Sequence, residues 1–164
     1  MEKAGNESGV FDPKFVDHVV LLKTEAFARS AVVSNVAYKV HLNLPRCENF
    51  SGHARISFSQ IAPLPADGLF LDFHGLAIFS LAVNEVTMDL APEVFSGQRI
   101  HLKSDSFGGK DGVGATHSVE VSFLNKYRVD GTALHRFVDP EDKEDYLYTQ
   151  FESFFAHGVF PCFD

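Results

Sequence analysis

Between Val36 and Glu152 the apolar residues recur at every second position, in short runs separated by turn residues. That period places one set of side chains on one face of an extended chain and the other set opposite. Val36, Tyr38, Val40, Leu42 and Leu44 alternate with Ala37, Lys39, His41 and Asn43 until Pro45 ends the run. Ala54, Ile56 and Phe58 repeat the pattern, as do Leu69, Leu71 and Phe73 before Gly75. Leu76 to Val83 and Glu85 to Leu90 read as further short strands broken at Asn84, followed by Arg99 to Lys103 and Ser118 to Leu124. Asp130-Gly131 has the composition of a two-residue hairpin turn between Val119–Val129 and Leu134–Val138. Asp139-Pro140-Glu141-Asp142 closes a second hairpin into Asp145 to Glu152. The pattern predicts an all-β fold, a saddle-like antiparallel or mixed β-sandwich.

One helix precedes the strands. Asp12 suits a cap, Pro13 the first helical position, and Phe15, Val19, Leu22 and Ala26 fall on one face, so the spacing predicts a helix from Asp12 to Ala28. With 164 residues the chain has the length of one domain. The division expected is a disordered tail over residues 1–12 and a β-domain over 13–164.

Charge narrows the partners. Fourteen Lys and Arg against 22 Asp and Glu give −8, which disfavours nucleic acid and anionic membrane surfaces. No apolar run approaches the roughly 18 residues of a membrane span, and the polar start lacks a signal pattern. Cys47 and Cys162 read as reduced thiols, Cys162 as a buried one, and the expected location is cytoplasmic. Five of the 17 Phe fall in the last fourteen residues, and the chain stops inside an apolar stretch. That predicts a domain incomplete at its C-terminus, prone to self-association through uncovered apolar surface and an open sheet edge.

The familiar catalytic signatures are missing. Eight His occur, but none is followed by Glu and no two lie four apart, so no His-Glu-x-x-His zinc motif exists and no metal site is expected in this stretch. His41, His53, His101 and His117 are expected on exposed strand faces. Gly108 to Gly114 has its Lys in the wrong place for a phosphate loop and reads as a surface loop; Asp139 to Asp145 lacks the order of a calcium loop. What remains is Tyr146-Leu147-Tyr148-Thr149-Gln150-Phe151-Glu152. Alternation puts Tyr148, Gln150 and Glu152 on one face, where a Glu charge and a Gln carbonyl beside an aromatic suit an ammonium group, or form an ordinary polar strand face.

Leu134-His135-Arg136-Phe137, Tyr146 to Glu152, and Val159-Phe160-Pro161-Cys162-Phe163-Asp164 together resemble the N-terminal domain of the zinc aminopeptidase N family, which includes the leukotriene hydrolases. Val33-Ser34-Asn35-Val36-Ala37-Tyr38, Phe50-Ser51-Gly52 and Leu71-Asp72-Phe73-His74-Gly75 match in the same order, so the resemblance covers about Arg29 to Asp164. It implies a β-domain packed against a zinc-bearing catalytic domain of the same chain, which is absent here. It further implies that Glu152 binds a peptide substrate's α-amine through a buried carboxylate, that Gln150 lines the pocket for the first side chain, and that Tyr148 is a pocket wall. No catalytic residue and no cofactor belong to this stretch; zinc belongs to the parent. The chain departs from the family after Glu152, where Ser153-Phe154-Phe155-Ala156-His157-Gly158 lacks the basic pair that contacts the catalytic domain, implying that Phe154 and Phe155 replace those contacts with apolar packing. A leukotriene-hydrolase-like bifunctional enzyme and a non-catalytic β-sandwich interaction module are the alternatives.

Overall fold

The structure is a computed structural model that describes residues 9–11, 20–108 and 112–164. The long alternating runs form the main sheet, whose order is β1 (Val10–Phe11), β5 (Ala77–Val83), β9 (Thr116–Lys126), β3 (Asn49–Gln60), β2 (Val33–Asn43), with β6 (Val86–Thr87) added to β5. A second sheet joins β4 (Leu69–Asp72), β8 (Arg99–Leu102) and β7 (Phe95–Ser96). A separate hairpin pairs β10 (Ala133–Val138) with β11 (Asp145–Gln150). Among the described residues every strand ladder is antiparallel, the arrangement in which a sheet buries one face and alternates along its strands.

The two larger sheets enclose one core. Ala54, Ile56 and Phe58 of β3, Ile78 and Leu81 of β5, and Val119, Val121 and Phe123 of β9 meet Leu69, Leu71, Phe95, Ile100 and Leu102 from the smaller sheet. Phe73 bridges them, with its ring 5.1 Å from Phe123 and 5.6 Å from Phe95. Each of the Leu, Ile, Val and Phe side chains contributes about 1.5–3 kcal/mol by leaving water, so register is strongly fixed here. Asn84 and Glu85, with φ of 50° and 68°, form the left-handed pair that a two-residue hairpin needs, and Val83 then faces Val86. β6 is shorter than the expected Glu85 to Leu90 strand.

Several expectations need correction. Leu22 is extended (φ −70°, ψ 144°) and its N–H donates to Glu25 Oε2 at 2.9 Å, so the helix α1 runs Lys23–Ser30 rather than from Asp12 to Ala28. Residues 12–19, including the Asp12 cap and Pro13, lie outside the described residues. Nor does an apolar stripe dock α1: Leu22 and Phe27 are exposed, while Arg29 is buried. The tail expected over residues 1–12 is ordered at its end, where Val10 and Phe11 pair with Ile78 and Ala77. Residues 1–8 lie outside the described residues.

Asp130-Gly131 does not join two antiparallel strands. Only Gly131 has positive φ (89°), whereas the two-residue turn needs it at both positions. Asp130 Oδ1 instead accepts from the N–H and hydroxyl of Thr132 at 3.1 and 2.7 Å, and Arg128 binds its other oxygen. The chain thus makes a wide loop that returns with Arg128 and His135 bridged in parallel. The second turn is as expected: the Lys143 N–H donates to Asp139 O at 2.9 Å and the Asp139 N–H to Glu144 O at 3.0 Å.

His117 is buried rather than solvent-facing. It lies between the rings of Phe58 and Phe107, with Nε2 3.1 Å from Gln60 Oε1 and Nδ1 3.1 Å from Asn84 Nδ2. The amide of Asn84 can only donate from nitrogen, so Nδ1 accepts and the imidazole is neutral. Burial holds its pKa below the ordinary value. Of the Gly-rich loop, residues 109–111 lie outside the described residues; the remainder is pinned to β3 by the Gly114 N–H on Gln60 O at 2.7 Å. A Cβ on Gly112 would lie 2.2 Å from Phe107 O, so this close approach requires glycine.

Candidate functional site

The register of β10 and β11 decides what the hairpin presents. His135 lies opposite Tyr148 and Phe137 opposite Tyr146, so these four rings share one face with Ala133 and Gln150. The other face carries Leu134, which is buried, and Arg136, which bonds Asp145 Oδ1 at 3.0 Å and lies over the Tyr127 ring. That face turns toward the body of the domain. The aromatic face turns outward, with Phe137, Tyr146 and Tyr148 about half exposed. The rings of Tyr148 and His135 lie tilted against each other, 4.7 Å between centroids.

Gln150 and Glu152 are adjacent, though for a different reason from the one strand alternation supplies. β11 ends at Gln150, so Glu152 lies beyond the ladder. The Glu152 N–H donates to Gln150 Oε1 at 2.9 Å, and this bond brings the two residues together. The Gln carbonyl expected to face an ammonium is turned onto the neighbouring backbone. The carboxylate of Glu152 is exposed, not buried as the resemblance implies. A cleft of about 560 Å³ opens beside the hairpin, but Glu48, Lys126, His135 and Arg136 line it, without Gln150 or Glu152. The two residues therefore stand on an open face.

The loop after Glu152 is tied down by its apolar residues. The Phe155 N–H donates to Phe151 O at 2.9 Å, and Phe151 meets Phe160 edge-on at 6.3 Å. Phe154 stacks on Phe155 and on His157, both in its own loop. Cys162 is buried, and burial pushes its thiol well above the ordinary range, so its role is packing. Its backbone exchanges two bonds with Asp72, of 2.8 and 3.0 Å, tying this segment to β4.

A buried ionic cluster escaped the reading by periodicity. Arg29 Nη1 donates to Asp72 Oδ2 at 2.7 Å, and its Nη2 to Asp164 O. Arg99 grips Glu25 with both Nη atoms, at 2.7 and 2.9 Å, and lies 4.0 Å above the Phe70 ring. That fork holds the Glu25 carboxyl at about 2. His157 donates its backbone N–H to Asp164 Oδ2 at 3.1 Å, and its Nδ1 lies 2.6 Å from the same oxygen. These contacts span up to 135 residues, which is why no local spacing announces them. Arg99 Nε also lies 3.6 Å from Asp72 Oδ1, and together these contacts clamp α1 and the last residues onto the smaller sheet. Among the described residues no cluster of three or more His, Cys, Asp or Glu side chains could hold a metal ion.

Comparison with known proteins agrees with this architecture. The model of the peptidase M1 N-terminal domain matches residues 34–164. The chain belongs to that family. It is also similar to an aminopeptidase N of Streptomyces lividans, with 29% identity over 145 residues, covering 88% of this chain and 16% of the relative. The chain thus spans about a sixth of the length of that relative. The matched M1 region contains both larger sheets apart from β1, the hairpin, and the segment that binds Asp72.

Proposed function

We propose that this chain is the substrate-framing domain of a zinc-dependent aminopeptidase, an enzyme that removes residues from peptide N-termini. Glu152 binds the substrate's α-ammonium, and Gln150 and Tyr148 border the pocket for its first side chain. The observation that carries this reading is the position of Glu152, held by Gln150 at the end of an outward aromatic face within a domain of the M1 family. An exopeptidase must distinguish a chain end from an internal bond, and only the former bears a positive charge next to the scissile residue. A carboxylate supplies that distinction by charge-assisted hydrogen bonds.

On an open face the pair is solvated, and its attraction to an ammonium is weak in water. A second surface, from a catalytic domain of the parent chain, would exclude that water and strengthen the interaction. Zinc belongs to that domain. On this reading the hydrolytic machinery lies in that domain, and this chain on its own is expected to have no peptidase activity. In this reading the parent is cytosolic, where the exposed Cys47 stays reduced.

Glu152→Ala in the parent enzyme tests the assignment. With an aminoacyl reporter substrate, kcat/KM is expected to fall by more than tenfold, about 1.4 kcal/mol. A smaller loss removes Glu152 from the role.

A further inference from the structure

The buried polar row around His117 runs in one donor direction. The Ser118 backbone N–H donates to Asn84 Oδ1 at 3.0 Å, which turns Asn84 Nδ2 toward His117 Nδ1 at 3.1 Å. Nδ1 therefore accepts, the ring proton sits on Nε2, and it faces Gln60 Oε1 at 3.1 Å. Gln60 Nε2 in turn donates to Ala62 O at 3.1 Å. One backbone N–H, which can only donate, thus sets the orientation of two amides and the tautomer of the imidazole between them. The row ties the turn between β5 and β6 to β9, where the Asn84 N–H also donates to Ser118 O at 2.8 Å.

A proton on Nδ1 faces the Asn84 amide nitrogen, donor against donor. Rotating that amide gives Nδ1–H an acceptor but sets Nδ2 against the Ser118 N–H, so either orientation leaves one donor–donor contact. The side chains around the ring bring no compensating charge. Phe58 and Gln60 of β3, Phe107 and Asn84 are all uncharged, and Glu85, beside Asn84, is exposed and paired with Arg55 at 4.0 Å. The Gly112 backbone favours the charged ring, but burial outweighs it.

We propose that Asn84 and His117 form an acid-released latch: the neutral imidazole holds the β5–β6 turn on β9, and protonation at Nδ1 lets the turn go while the sandwich stays closed. A freed imidazole titrates near about 6.5. Below that pH the opened form binds a proton that the closed form refuses. Opening therefore gains up to about tenfold per pH unit until the closed ring is itself protonated.

Amide hydrogen exchange and the imidazole nitrogen shifts of the 164-residue chain test the latch. At neutral and alkaline pH, His117 should be the Nε2–H tautomer. Between about pH 6.5 and about pH 5.5, protection of the Ser118 and Asn84 amides, corrected for intrinsic exchange, should fall about fivefold while the amides of β4 and β8 keep theirs. Asn84→Asp supplies a carboxylate that accepts from both the Ser118 N–H and Nδ1–H, at a φ of 50° that Asp also tolerates. In that variant His117 should bind its proton at least about tenfold more tightly, and the fall in Ser118 protection should disappear. His117→Gln, which has no proton to gain, should likewise show no fall. An Nδ1–H tautomer, level Ser118 protection in the native chain, or β4 and β8 amides losing protection in step with Ser118 would each overturn the proposal. So would an Asn84→Asp chain that responds to acid as the native one does.

Discussion

Both the sandwich core and the β10–β11 hairpin are antiparallel and rich in aromatic rings, but they hold those rings in opposite ways. Phe58, Phe73, Phe95 and Phe123 are wholly buried and packed between two sheets. Their positions follow from volume and register, and any displacement opens a cavity. Phe137, Tyr146 and Tyr148 stand about half exposed on a two-stranded ribbon. Their places are set by ladder bonds, one stack and a few side-chain hydrogen bonds. The core rings are held on every side, whereas the hairpin anchors itself in the core through Ala133 and Leu134 and leaves its three outer rings half exposed.

Truncation is the most direct way to break this contrast. Phe123→Ala should cost about 3–5 kcal/mol in equilibrium denaturation, and Tyr148→Ala less than about 1 kcal/mol. Comparable losses would show that the hairpin is structural. Asp72→Ala should cost about 3 kcal/mol, because it leaves the buried Arg29 without its carboxylate; a loss near that of Tyr148→Ala would mean the cluster relaxes freely. Acid should act on stability through His117 and Glu25. His117 has a lowered folded pKa, so its contribution is complete above about 6.5 and declines as pH falls below that value. Glu25 has its folded value near 2 against an ordinary 4.5, so its contribution is lost between those two values on further acidification. A melting profile against pH should therefore show two descents, and His117→Gln should remove the upper one.

The sandwich was legible because burial repeats at short range: Ile56, Phe58, Val119 and Val121 carry their own strand signal. Asn84 announced its turn for the same reason, through local backbone preference. Asp130-Gly131 misled because the same residue pair also suits a side-chain-capped loop, and Arg128 and Thr132 selected the latter. The helix boundary was hidden because α1 docks through Arg29 and Glu25, whose partners lie 43 and 74 residues away. His117 looked like a surface histidine until Gln60 and Asn84 satisfied both ring nitrogens. At the candidate site, strand periodicity drew attention to Tyr148, Gln150 and Glu152, but it carried the strand two residues too far. The contact that joins Gln150 to Glu152 is a side-chain capture of backbone, and alternation contains no information about it.

The central claim is that Glu152 reads a positive chain end, and a thermodynamic cycle in the parent enzyme tests it. Inhibition by leucinamide and by its analogue lacking the amine should be compared in native enzyme and in Glu152→Ala. The account predicts that the advantage conferred by the amine shrinks at least tenfold in the variant, about 1.4 kcal/mol of coupling. An advantage preserved in full would mean that the ammonium is bound elsewhere and would contradict the account.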